Sequence, residues 1–211
     1  MSIEERNDSI RMIAVVLMVI DHVGAAFFPE NYWMRVPGRI VFPIFAFGVA
    51  MGICHTKNIR NYMIRLLVGA VISQPIYGAL FPGGWNIIFT MLYGGIVLIL
   101  WEKKNPILKM GGALLLIGSI FLPKLDYGWY GVFTIFLFFQ LGKDKQLCAI
   151  AQTILQGCFI LSGGAWIQAF SLLSLPLIYK EWKTKICLPK YFFYVFYPCH
   201  LAVLLLLRRI L

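Results

Sequence analysis

Residues 8–24 read DSIRMIAVVLMVIDHVG. An acid and a base are followed by an unbroken apolar run over residues 12–20, and then Asp21 and His22 stand side by side. The run does not alternate and is long enough for a helix in lipid, so it reads as a first membrane span with two ionisable groups toward its far end. Inserting an acidic residue at the centre of such a helix costs about 2.5 to 3.5 kcal/mol. A chain that keeps one there has a partner or a use for it.

On one helix Asp8, Arg11 and His22 fall within about 40° of a common azimuth, with Asp21 about 100° away. This placement suits His22 to act as a general base, with Asp21 either orienting a partner or holding Arg39. The plain alternative is an Asp and a His that only pack between helices.

The rest of the chain has the same character. Of 211 residues, 60% are apolar and 13% charged, and the mean hydropathy is +0.79. These values exclude a soluble globular domain. Lipid admits only helices or closed barrels, so the expected fold is all-α: a polytopic integral membrane helical bundle, one domain over residues 1–211. About nine membrane segments are expected, over residues 10–28, 39–54, 62–80, 86–101, 108–122, 128–141, 147–161, 165–179 and 191–207. Several fall short of the roughly 20 residues a bilayer requires, which predicts tilted, paired or re-entrant pieces.

A formal charge of +10 raises nucleic acid as a partner, but the bases sit at loop ends and form no stripe, so none is expected. Lys57 and Arg60, Lys103, Lys104 and Lys109, Lys143 and Lys145, and Lys180, Lys183, Lys185 and Lys190 occupy alternate connections. The connections between them hold Arg35, Arg39 and Lys124. The first set should face the cytoplasm, together with the N-terminus. Arg208 and Arg209 then fall on the other side, so either the count is off by one or the last segment stops short of crossing. Cys54, Cys148, Cys158, Cys187 and Cys199 show no CxxC spacing and read as buried hydrophobes, with no metal expected. The opening MSIEERNDS lacks a basic start, which predicts an uncleaved first anchor.

Other polar residues join the candidate site. Arg39 opens the second span with its guanidinium free for bidentate pairing, Pro43 loosens that helix, and Gly48 and Gly52 form a small-residue packing face. His55 and Arg60, beside Lys57 and Arg65, form a basic cytoplasmic mouth suited to the phosphates of coenzyme A, although topology alone explains the same charges. Asn86 and Thr90 share a helical face, the alternative being an N-cap with an inward-bonded threonine. In DYGWYGV, Asp126 either holds an amine or an arginine or caps a helix, and Tyr127 follows it. In YPCH, Tyr197 and His200 lie three apart, and His200 is a second proton-handling candidate or a core histidine bonded to a carbonyl.

The segments RMIAVVLMVIDHVGAAFFPE, GRIVFPIFAFGVAMGICHT, WNIIFT, DYGWYGV and FYPCHLAVLLL occur in the order expected of the TraX family of membrane proteins, which the chain resembles over nearly its whole length. The resemblance implies an acetyl-CoA-dependent N-acetyltransferase of the bacterial inner membrane that caps the N-terminal amine of a conjugative pilin; related fimbrial-assembly proteins share it. The chain is also similar to membrane acyltransferases of cell-surface glycans, which open on a D-G-L-R-G-I-A type start and carry a catalytic histidine at the end of the first span. Asp8, Arg11, Ala14 and His22 match that pattern, whereas Ser9 and Met12 stand where glycines are usual and the chain is shorter. The implied catalytic set is Asp21, His22, Arg39 and His200. His55, Arg60 and Asn86 would bind acetyl-CoA, and Asp126, Tyr127 and Tyr197 the acceptor, a pilin or another envelope molecule. Three other functions compete: an O-acyltransferase acting on an envelope glycan, a transporter relaying protons through Asp21, His22 and His200, and a pilus-assembly scaffold.

Overall fold

Side chains that accept the unpaired amides of a first turn open four of the helices. Asn58 accepts from the Asn61 amide, Asn86 from Ile88, Asn105 from Ile107, and Asp144 from Gln146 and Leu147. The computed structural model describes residues 8–122, 124–182, 186, 188–189 and 191–210. Residues 1–7, Lys183, Lys185, Cys187 and Lys190 lie outside the described residues, and so do the expectations resting on them.

The described residues form nine α-helices: α1 (Ser9–Phe27), α2 (Val36–His55), α3 (Ile59–Leu80), α4 (Ile87–Trp101), α5 (Pro106–Gly118), α6 (Gly128–Leu141), α7 (Lys145–Leu161), α8 (Ser174–Tyr179) and α9 (Phe192–Ile210). Short 3-10 helices cover Tyr32–Arg35, Ser119–Phe121 and Trp166–Leu173. No strand occurs among the described residues. Each expected segment coincides with a helical one, but the eighth is mostly 3-10 helix leading into the six-residue α8. Among the described residues, four helices are long and apolar enough to cross a membrane: α1, α2 with the 3-10 turn before it, α3 and α9. The helices between them are apolar but shorter.

The centre of the bundle is α2. Its Val41 and Ile44 pack with Ala14 and Met18 of α1, Leu66 and Ala70 of α3, and Tyr197 and Leu201 of α9. On its other face Phe42, Ala46, Val49 and Ile53 meet Met91 and Leu98 of α4, Tyr130, Ile135 and Phe138 of α6, and Leu155 of α7. Gly48 and Gly52 serve this packing differently than expected, since they face the Arg11 guanidinium and the Tyr62 hydroxyl instead of a neighbouring backbone.

Successive helices run in opposite directions, which gives the bundle a basic end and a far end. At the basic end the Asp8 amide bonds to the Ile186 carbonyl (2.9 Å) and its carboxylate accepts from the Leu188 amide (3.0 Å), which ties the start of α1 to the segment before α9. At the far end Arg208 donates to the Leu80 carbonyl at 3.0 Å. The last helix therefore runs the full length of the bundle beside α3. Its terminal arginine fills a structural role at the C-terminal end of α3, where the carbonyls need donors. By length and composition α9 is among the helices able to cross a membrane.

Candidate functional site

Two cavities enter the bundle from its two ends. The larger, about 710 Å³, opens at the basic end, where Arg11, His55, Thr56 and Arg65 line it. The smaller, about 170 Å³, lies toward the far end and is lined by Asp21, His22, Arg35, Arg39, Tyr77, Asp126 and Tyr127. Met18, Phe45, Ile87, Met91 and Tyr197 line both, so the cavities adjoin across these five side chains, the neck between them.

His22, about one turn and a half from the end of α1, lines the small cavity. Its Nδ1 lies 2.7 Å from Nε2 of His200 on α9. The rings are within 6° of parallel with centroids 5.0 Å apart, the separation that two coplanar imidazoles joined edge to edge require. His200 Nδ1 in turn lies 2.9 Å from the Phe196 carbonyl oxygen, which can only accept. These contacts assign the tautomers of two neutral rings. His200 carries its proton on Nδ1, so its Nε2 accepts, and His22 must donate from Nδ1. The lone pair of His22 is left on Nε2, which sits 4.0 Å from Asp21 Oδ2. His200 is thus both the second proton-handling candidate and the carbonyl-bonded histidine of the plain alternative.

Asp21 pairs with Arg35, not with Arg39. The Arg35 Nη1 atom stands 3.0 Å from Asp21 Oδ1 as an ion pair and donates to the Asp21 carbonyl oxygen at 2.9 Å. Arg35 closes the 3-10 turn before α2, which swings it back over α1, so a residue read from sequence as a loop charge belongs to the site. Gly38 makes room for this pair: a Cβ there would run into the Asp21 carboxylate. Gly38→Ala is therefore expected to destabilise the protein by about 1 to 3 kcal/mol through overpacking. A thermal melt in detergent reads this, with Gly111→Ala, whose Cβ would meet open space, as the control that should not fall.

The Arg39 guanidinium lies over the Tyr127 ring, 5.1 Å from its centroid, and donates to Gln168 Oε1 at 3.1 Å. Gln168 belongs to the 3-10 helix Trp166–Leu173 and is buried. Tyr127 has φ 60°, a left-handed conformation that costs a non-glycine residue about 1 to 3 kcal/mol. Its hydroxyl bonds the Gly38 carbonyl (3.1 Å) and its ring stacks on Phe42 at 4.2 Å. The strained turn thus builds a platform under Arg39.

Asp126, in the turn before α6, lines the small cavity. Its carbonyl accepts from Thr90 (2.6 Å), and its Oδ1 accepts from the Tyr127 amide (3.1 Å). It does not cap α6, whose N-cap position is Tyr127 without a side-chain bond. Burial pushes the Asp126 carboxyl up, with the Arg39 charge and the Tyr127 amide opposing. The Trp85 amide bonds the Lys124 carbonyl (2.8 Å) and clasps this turn to the α3–α4 connection.

Of the three residues expected at the cofactor, His55 lines the mouth of the large cavity, its Nδ1 2.8 Å from the Met51 carbonyl. Arg60 is exposed and outside the cavity, and Arg65, one turn and a half further along α3, lines it instead over the Tyr62 ring. Asn86 reaches neither cavity. It is fully buried as the N-cap of α4, donating to the Ala70 carbonyl (2.8 Å) and to Gln74 Oε1 (2.9 Å). Asn86→Ala should cost about 1 to 2 kcal/mol, since it strands the Ile88 amide and removes the donor to the Ala70 carbonyl, while Gln74 keeps its bonds to the residue 86 amide and the Gly84 carbonyl. Chemical or thermal unfolding would register this, and a stability equal to wild type would refute the capping role.

A family model described as TraX protein matches residues 6–208. The chain belongs to the TraX family. It is 30% identical over 217 residues to the Protein TraX of Escherichia coli, covering 94% of this chain and 86% of that protein. A second TraX, from strain K12, is 28% identical over the same shares. A relative named Probable fimbrial assembly protein FimC, serogroup H1, of Dichelobacter nodosus is 25% identical over 92% of each chain. No solved structure gives a significant match. In this TraX-family chain the alignments therefore span both cavities and the neck between them.

Proposed function

We propose that this TraX-family chain is a multi-pass protein of the bacterial cytoplasmic membrane that transfers acetyl from cytoplasmic acetyl-CoA to an amine arriving at the far end. One observation carries the reading: a histidine with its lone pair fixed by a two-bond chain lines the smaller of two adjoining cavities that lie toward opposite ends of the bundle. Arg11, His55 and Arg65 at the wide mouth suit the phosphates of coenzyme A, and the apolar cavity behind them suits its pantetheine arm. The acceptor's neutral amine would occupy the small cavity, with Asp126 as a hydrogen-bond acceptor for it.

As the amine nitrogen attacks the thioester carbon, His22 Nε2 takes its proton. The imidazolium that forms has Asp21 Oδ2 at 4.0 Å and His200 on its other nitrogen. The Arg39 guanidinium, held by Gln168 and Tyr127, presents positive charge to the developing oxyanion. The C–S bond then breaks, and His22 returns the proton to the thiolate. The name of the Dichelobacter relative, a probable fimbrial assembly protein, fits an acceptor among fimbrial subunits, and a pilin N-terminal amine is the acceptor this reading adopts.

The test is transfer of isotope-labelled acetyl from acetyl-CoA by the purified protein in lipid vesicles, with a pilin N-terminal peptide as acceptor and an envelope glycan fraction in parallel. Label on the peptide amine supports the reading. Label on glycan hydroxyls alone moves the acceptor, and no label on either, without acetyl-CoA binding, ends the enzyme reading.

A further inference from the structure

The neck holds a group that the mechanism above does not use. Tyr197 is 5% exposed, and its hydroxyl has no hydrogen-bond partner. A buried phenol without a partner forfeits about 1 to 3 kcal/mol, and this one belongs to a side chain that lines both cavities, its oxygen covered in the resting protein. The Ile87 amide, in the first turn of α4, faces the phenol oxygen but falls short of hydrogen-bond geometry. That side of the hydroxyl is therefore the one on which it would accept. Its proton is left without an acceptor in the resting protein.

The ring of Tyr197 is fixed. It stands edge-on to His22, with centroids 6.3 Å apart and planes at 68°, and edge-on to His200, at 5.5 Å and 64°. Leu201, Leu204, Ile88 and Met18 pack in the same cluster. A side chain so held cannot turn to find another partner, so its unpaired donor is preset for something that enters the neck. The other side chains of the neck, Met18, Phe45, Ile87 and Met91, offer no polar side-chain atom that could donate.

We infer that the Tyr197 hydroxyl is the hydrogen-bond donor that receives the thioester carbonyl oxygen of the acyl donor at the neck. This rests on the acetyl-transfer reading above. It also places the scissile C–S bond: the sulfur side lies in the large cavity, and the carbonyl carbon faces His22 and the incoming amine. In the step itself the C–N bond forms, the C–S bond breaks, and the amine proton passes by way of His22 to sulfur. Tyr197 keeps its own proton throughout, and its bond to the oxygen strengthens as negative charge gathers there and relaxes when the carbonyl reforms. Only an acyl group small enough to share the 170 Å³ cavity with the acceptor amine can adopt this position, so the donor class is a short-chain acyl thioester.

Tyr197→Phe removes the hydroxyl and retains the ring. Kinetics of labelled acetyl transfer in vesicles should show kcat lowered about 10²- to 10³-fold, with KM for acetyl-CoA nearly unchanged, as for loss of one oxyanion donor. The melting temperature should stay level or rise, because the lost hydroxyl bonds nothing in the resting protein. A variant as fast as wild type overturns the inference while leaving the acetyl-transfer reading standing. A variant that loses rate only together with a raised KM and a lowered melting temperature overturns it as well, since that is a packing defect. Wild-type protein without transfer removes both.

Discussion

Replacing His22 with alanine is expected to lower acetyl transfer by about 10²- to 10⁴-fold, the range supplied by a positioned general base. His22 is the one imidazole whose free nitrogen lines the small cavity; among the described residues His200 uses both nitrogens, and His55 lies at the opposite mouth. The variant should stay folded, because the lost bond leaves only His200 Nε2 without a donor. The pattern across a pair of variants is more telling than the single value. His200→Phe keeps the base but releases its tautomer, so it should lose less rate than His22→Ala. Combining the two should add little, because the residues act as one unit. Equal rates for wild type and His22→Ala would sink the assignment.

Arg35→Ala is expected to destabilise the protein by about 3 kcal/mol, the lower end for stranding one member of a buried ion pair. Asp21 has only 9% of its side chain exposed, and Arg35 supplies both the 3.0 Å contact to its carboxylate and the 2.9 Å bond to its carbonyl. Arg39 remains in the same cavity and offsets part of the loss, hence the lower end of the range. The double variant Arg35→Ala with Asp21→Asn removes the stranded charge and should recover most of the stability. If Arg35→Ala alone melts like wild type, Asp21 is held by other means. The same double variant separates stability from chemistry, since it should fold yet transfer slowly for want of the carboxylate beside Nε2.

The helices were largely legible in the sequence, because each span is set by its own run of apolar residues and four of them by a capping side chain at the start. The bounds expected for the sixth segment, residues 128–141, are those of α6, and Asn86 is the N-cap that the sequence offered as one of its two readings. Helical periodicity puts Asp8 and Arg11 near one azimuth, and the structure shows them as an ion pair at 2.9 Å. What stayed hidden depends on contacts between helices. The ion pair of Asp21 with Arg35 requires knowing that a 3-10 turn folds back over α1. Gln168 sits in a short apolar stretch whose 3-10 winding alters which residues share a face, so the partner of Arg39 could not be read from a period of 3.6. Arg60 and Arg65 are alike as charges, and only the packing of α3 decides that Arg65 reaches the cavity. Arg208 broke the charge rule because its task is local, at the Leu80 carbonyl.

The central claim is that donor and acceptor enter from opposite ends and meet at His22. Purified protein in sealed vesicles, sorted for a single orientation, tests it when labelled acetyl-CoA is supplied only on the side of the basic loops and the amine peptide only on the other. The account predicts acetylated peptide in the compartment that never held acetyl-CoA, absent with His22→Ala. Product formed only when both substrates share one compartment would contradict it.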